Sequence, residues 1–179
     1  MPPISIVFVT TGLAVWVIGL AFLGIGAKPS EEEGASNPMT TVGWIALIAG
    51  IVDIVQAAYI MAVQPAPLGA LSEVLAGLVM FYGAFFTLLG TSLVKGLDLR
   101  PVANLSAAVA VVPLFWWQFF AGGWMFRSIL VVWLIVFGSV TLTVYGKLSG
   151  KILGAMLVFT ALYTFLTPAV ILALGHFIP

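Results

Sequence analysis

The chain has 179 residues, of which 63% are hydrophobic and only 7% charged, and its formal net charge is zero. Ordinary soluble domains carry roughly 25% charged residues, so this composition cannot furnish a water-facing surface, and the bilayer is the expected solvent. With no cysteine and a single histidine, His176, the chain has no disulfide framework, no thiolate nucleophile and no Cys- or His-cluster metal site. No basic patch points to nucleic acid.

Six apolar segments are long enough to span hydrocarbon, which takes about 20 helical residues. In chain order they are expected over Ile4–Gly26, Thr40–Val63, Gly69–Leu93, Val102–Ala121, Trp124–Tyr145 and Gly150–His176. The runs are continuous rather than alternating, which excludes a β-barrel and requires helices. The expected fold class is therefore an all-α integral membrane protein, a bundle of six transmembrane helices forming one domain over residues 1–179. The first segment lacks a basic n-region and is longer than a signal-peptide core, so it reads as a retained span.

Ala27–Asn37 is the one clearly polar loop, with Lys28 and the run Glu31-Glu32-Glu33, and reads as a solvated connection. Gln64–Leu68, Gly122-Gly123 and Gly146–Lys151 are short turns. Between the third and fourth segments lies Gly96-Leu97-Asp98-Leu99-Arg100-Pro101, where acid, base, glycine and proline interrupt the apolar text together. Glycine and proline stop the flanking helices, and the two charges fix the turn at a water interface. The first, third and fifth connections carry Lys28, Lys95, Arg100, Lys147 and Lys151, while the opposite side has only Arg127. The positive-inside rule then puts both termini outside.

Within the spans, Asp53 sits near the middle of the second, with Gln56 three residues on and on the same face. An intramembrane carboxylate is a functional candidate. Asp53 either faces a water-filled path or anchors a neighbouring helix. Glu73 and Arg127 lie near outer helix ends, where an interfacial pair is the expectation. Thr160, Tyr163, Thr164 and Thr167 follow i, i+3, i+4, i+7 spacing beside Pro168, which predicts a polar face next to a kink. Trp116, Trp117 and Trp124 fit an interfacial belt. Trp133 falls instead at mid-helix, with Phe137 and Thr141 one and two turns along, and Tyr82, Phe85 and Phe86 form a second aromatic group. Packing in lipid accounts for most aromatics. Gly12, Gly19, Gly43, Gly50, Gly150 and Gly154 are candidates for close helix packing. No nucleophile–base pair, metal cluster or phosphate loop is present in the sequence, so no catalytic residue, metal or cofactor is assigned.

With these residues in view, the chain resembles the bacterial urea and amide channel family, AmiS/UreI. The resemblance rests on Gly96–Pro101 followed by Ser106, on Thr164, Pro168-Ala169 and His176 at the end of the sixth segment, on Trp133, and on Gly12 and Gly19. It implies a six-helix protomer with its own pore, a homohexameric ring closed by membrane lipid, outward termini and a bacterial cytoplasmic-membrane location. It further implies passage of urea or short aliphatic amides to a cytoplasmic urease or amidase. Trp133 resembles a channel-lining tryptophan. Phe137 would supply a second aromatic face with Thr160 and Thr164 opposite, and Tyr82, Phe85 and Phe86 complete the candidate lining. The chain departs from the family at Thr160, where some members have glutamate, at Phe137 in place of a second tryptophan, and at Ile18 in place of an asparagine. Two rival readings are a proton- or cation-coupled transporter using Asp53 and a non-transporting membrane subunit.

Overall fold

In a chain this apolar, backbone N–H and C=O groups find no water inside lipid and must pair within their own segment, so the apolar runs fold as helices. The computed structural model describes residues 4–26, 37–65 and 68–179. Its helices are α1 (Ile4–Leu23), α2 (Pro38–Val63), α3 (Ser72–Lys95), α4 (Arg100–Val111), α5 (Trp124–Val144), α6 (Gly150–Thr160) and α7 (Thr167–Ala173). A 3-10 turn at Gly69–Leu71 leads into α3, a 3-10 stretch at Val112–Trp117 continues α4, and a π-helical stretch at Ala161–Leu166 joins α6 to α7. The polar loop with Lys28 and the three glutamates lies outside the described residues, as does part of the turn after Gln64.

Helices α1, α2, α3 and α5, and the continuous run Gly150–Ala173, are long and apolar enough to cross a membrane. The fourth expected span differs: regular α-helix stops at Val111. Pro113 has no N–H to give to the carbonyl four residues back, so the chain tightens into 3-10 geometry. The sixth span is interrupted for a related reason. Pro168 cannot donate to the Thr164 carbonyl, and the preceding turn widens, with both the N–H and the hydroxyl of Thr167 reaching back five residues to the Leu162 carbonyl. One widened turn shifts the helical phase, so Thr167 is exposed although Thr160 and Thr164 are buried. The expected four-residue polar face is therefore a buried pair plus Tyr163, whose hydroxyl bonds Ser128 at 2.6 Å.

Each span packs against its neighbours in chain order, and the Gly150–Ala173 run returns to α1, so the six spans close a ring. Glycines set the tightest crossings. A Cβ on Gly83 would lie 2.9 Å from Ile54 Cγ1 and 3.0 Å from both Asp53 Cβ and the Gly50 carbonyl, so only glycine lets α2 and α3 approach this closely. Hydroxyls tie α4 to α5: Ser106 donates to the Phe137 carbonyl at 2.9 Å and Thr141 to the Ala103 carbonyl at 2.8 Å. Large apolar side chains such as Ile48, Val55, Leu88, Ile135 and Phe159 point outward. In water they would form an aggregating surface; in lipid they are the expected exterior of a membrane protein.

The central turn is built as its composition predicts. Gly96 takes a left-handed conformation, φ 63°, and caps α3. Asp98 accepts the backbone N–H of Arg100 at 2.9 Å and pairs with its guanidinium at 2.5 Å. These hydrogen bonds from Arg100 hold the Asp98 carboxyl below its usual range. Among the described residues this is the one ion pair, and it is solvent-exposed.

Candidate functional site: two cavities and an aromatic layer

The ring encloses two cavities, one toward each end. The first lies on the side of the described chain ends. Its volume is about 440 Å³, and it runs from Ile4, Leu71 and Gly122 inward to Asp53, Tyr82 and Trp133. The second, about 80 Å³, lies on the side of the central turn and runs from Phe22, Leu93 and Leu99 inward to Phe85, Phe137 and Thr160. They share one lining residue, Phe165. The larger cavity falls within the roughly 300–1,000 Å³ usual for ligand sites, and the smaller is ample for a few waters, each needing about 10–15 Å³ by such a measure.

A layer of rings divides the two. Tyr82 meets Trp133 edge-to-face at 4.5 Å between centroids and Phe137 at 5.4 Å; Phe85 meets Phe137 edge-to-face at 5.1 Å; Phe165 stacks on Trp133 at 5.5 Å. Each such pair contributes about 0.5–1.5 kcal/mol beyond area burial, so the rings hold one another across three spans. Trp133 is also fixed by its polar edge. Its Nε1 donates to Thr164 Oγ1 at 3.0 Å, and Thr164 donates to the Thr160 carbonyl at 2.7 Å. The threonine sits in the π-helical stretch, and π-bulges are frequent at functional sites.

These positions sort the residues expected from sequence. Tyr82 and Trp133 line the larger cavity; Phe85, Phe86, Phe137 and Thr160 line the smaller. Thr164 lines neither. It stands behind Trp133 as its hydrogen-bond partner. Thr160 spends its hydroxyl proton on the Met156 carbonyl at 2.8 Å and keeps its lone pairs free.

Asp53 bonds a neighbouring helix. It is wholly buried, its Oδ2 accepts the Thr11 hydroxyl at 2.7 Å across to α1, and it lines the larger cavity. Gln56 lines neither cavity. Glu73 and Arg127 do not pair with each other. Glu73 accepts Gln64 Nε2 at 3.2 Å, closing the α2–α3 end, whereas Arg127 donates to the Trp117 carbonyl at 3.2 Å and lies over the Trp117 ring at 5.1 Å. Each took the partner its own helix end brings near. His176 is exposed beyond α7.

Two residues of the site carried little sequence signal. Phe165, between the cavities, continues the i, i+4 row of buried Leu153, Leu157 and Ala161, an apolar stripe that reads as ordinary core packing. Thr11 is a polar residue in an apolar span and could have been noticed as a partner for Asp53.

No family model matches the chain, and no curated protein matches it. Two solved structures do match in fold. The cryo-EM structure of the Helicobacter pylori urea channel in a closed state and the crystal structure of the urea channel from the same gastric pathogen each superpose with a TM-score of 0.79 at 15% sequence identity. The likeness covers 98% of this chain in both cases, and 100% and 99% of the two channel chains. The chain thus shares the fold of these urea-channel structures along essentially its whole length.

Proposed function

We propose that the protein is a passive membrane channel for small neutral amides, urea or short aliphatic amides among them. The observation that carries this reading is the pair of cavities aligned through a closed ring of six spans and separated only by interlocked aromatic rings. Dispersion and the ring quadrupoles suit a flat, polar, uncharged solute: faces can stack on Trp133, Phe137 and Tyr82 while edges bond hydroxyls and carbonyls. A hydrated ion gains little there, since the smaller cavity has almost wholly apolar walls and pore selectivity follows lining donors and width. The fold shared with a urea channel supports the same reading.

The reading extends to the whole chain. Residues 1–179 form one channel unit in the bacterial cytoplasmic membrane, with both termini outside and the Lys95–Arg100 turn inside, in keeping with the distribution of basic residues. The outward apolar faces suit a homohexameric ring filled by lipid, one pore per protomer. A cytoplasmic urease or amidase would consume the solute, and the protein itself performs no catalysis. Uptake of urea and acetamide into proteoliposomes is the test: both solutes are expected to enter faster than into empty liposomes, and equal rates would remove the reading.

A further inference from the structure

The two cavities differ in what their walls offer. Polar atoms show on part of the wall of the larger one, whereas none shows on the wall of the smaller. The smaller cavity runs past Val15, Phe85, Leu93, Phe137 and Leu153, and its one polar lining residue, Thr160, donates its hydroxyl to the Met156 carbonyl at 2.8 Å. Backbone groups do not reach the wall, because the lining residues sit in helices that pair their N–H and C=O internally. Leu99, just ahead of α4, has its carbonyl taken by the Ala103 N–H at 2.8 Å.

Water has room in about 80 Å³ but is a poor occupant, since a buried water takes about 2–4 hydrogen bonds and this wall offers none. Apolar cavities of about 150 Å³ take benzene or xenon in place of water. At about half that volume, the smaller cavity has room for one compact apolar molecule. Phe85 meets Phe137 and Phe86 edge-to-face at 5.1 and 5.5 Å, and these rings give such a molecule close dispersion contact. Urea gains stacking on the same rings but finds no replacement for its hydrogen bonds to water, which leaves its polar edges unsatisfied. We propose that the smaller cavity is a binding site for a small apolar molecule without hydrogen-bonding groups, and that such a guest closes the solute path. The guest loses no hydrogen bond on entering, so it holds the site against water and urea. Once filled, the cavity leaves no continuous space between the aromatic layer and the mouth at Phe22, Leu93 and Leu99. The binding follows from the cavity wall alone; the closure rests on the amide-channel reading above.

Xenon is the probe, being apolar, monatomic and electron-dense. Its site is read as anomalous density in crystals of the full chain held under xenon pressure. Its effect is read as urea entry into proteoliposomes under xenon, against helium at the same pressure, with empty liposomes correcting for xenon dissolved in lipid. The proteins compared are the wild type, Val140→Phe, at a position that lines the cavity, and Leu142→Phe, at one that faces outward. Density inside the smaller cavity is expected in the wild type and Leu142→Phe, and is expected to be lost in Val140→Phe, whose ring fills the space. Wild-type urea entry is expected to fall about twofold at the xenon concentration that half-fills the site, since a filled cavity passes no urea. Absence of density from the wild-type cavity overturns the site, a result that stands even where Val140→Phe fails to fold. Density there with undiminished urea entry overturns the closure. A wild type that passes no urea under helium removes the amide-channel reading and the closure with it, while the density still upholds or overturns the site.

Discussion

Replacing Trp133 by alanine removes the residue on which the aromatic layer turns. In the observed state its indole is held by one hydrogen bond to Thr164 at 3.0 Å and by ring contacts with Tyr82 and Phe165. The hydrogen bond contributes about 0.5–1.5 kcal/mol net, and the two ring pairs about 0.5–1.5 kcal/mol each. Displacing the ring therefore costs about 2–4 kcal/mol, taking the middle of these ranges. At about 1.4 kcal/mol per factor of ten, the layer favours the closed arrangement by roughly 30- to 1,000-fold. Truncation joins the two cavities and abolishes that term, so glycerol entry, measured by stopped-flow light scattering on proteoliposomes, rises at least about tenfold and the urea-to-glycerol preference collapses. Thr164 keeps its bond to the Thr160 carbonyl, so no polar group is newly orphaned behind the gap. A variant with intact fold and unchanged glycerol entry would refute the claim that the path crosses this layer.

Two further perturbations test the frame around it. Gly83→Val forces a side chain onto Ile54 and the Gly50 carbonyl, where even a Cβ would lie within 3.0 Å. It is expected to cost about 1–3 kcal/mol, seen as a lowered melting temperature in mild detergent, whereas Gly138→Ala, with open space around it, is expected to be neutral or slightly stabilising. The Asp98 carboxyl is held below its usual range by Arg100, so its contribution is present above the unfolded value of about 3.9 and is lost as pH falls through the lower folded value. Asp98→Asn is expected to flatten that acid limb in melts recorded against pH; an unchanged acid limb would contradict the assignment.

Much of this architecture is legible in the sequence because lipid imposes a coarse rule: long apolar runs must be helices, and charged punctuation must lie at an interface. Gly96, Asp98, Arg100 and Pro101 sit where that rule puts them. What escapes is local backbone adjustment. Pro113 was one apolar residue among many in the fourth segment, yet it ends the α-helix. Pro168 beside the threonines predicts a kink, but the compensation it induces, a widened turn, carries Thr167 outward from the face of Thr160 and Thr164. Pairing at helix ends was also beyond reach. Glu73 and Arg127 have opposite charge and similar depth, but which neighbours they meet depends on the ring order of the helices. The aromatic layer was half legible: mid-span Trp133 stood out from the interfacial tryptophans, while the way five rings interlock across spans is a property of the packed ring.

The central claim is that solute moves through these two cavities, and a chain without cysteine permits a direct measurement. Val140 lines the smaller cavity, while Leu142, two residues on, faces outward and is 49% exposed. Urea flux into proteoliposomes of Val140→Cys and Leu142→Cys is measured before and after treatment with a small thiol-reactive reagent, with incorporation at each site verified by mass. The account predicts that modification at position 140 blocks urea entry and modification at position 142 leaves it unchanged. Full flux through a protein modified at position 140 would contradict it.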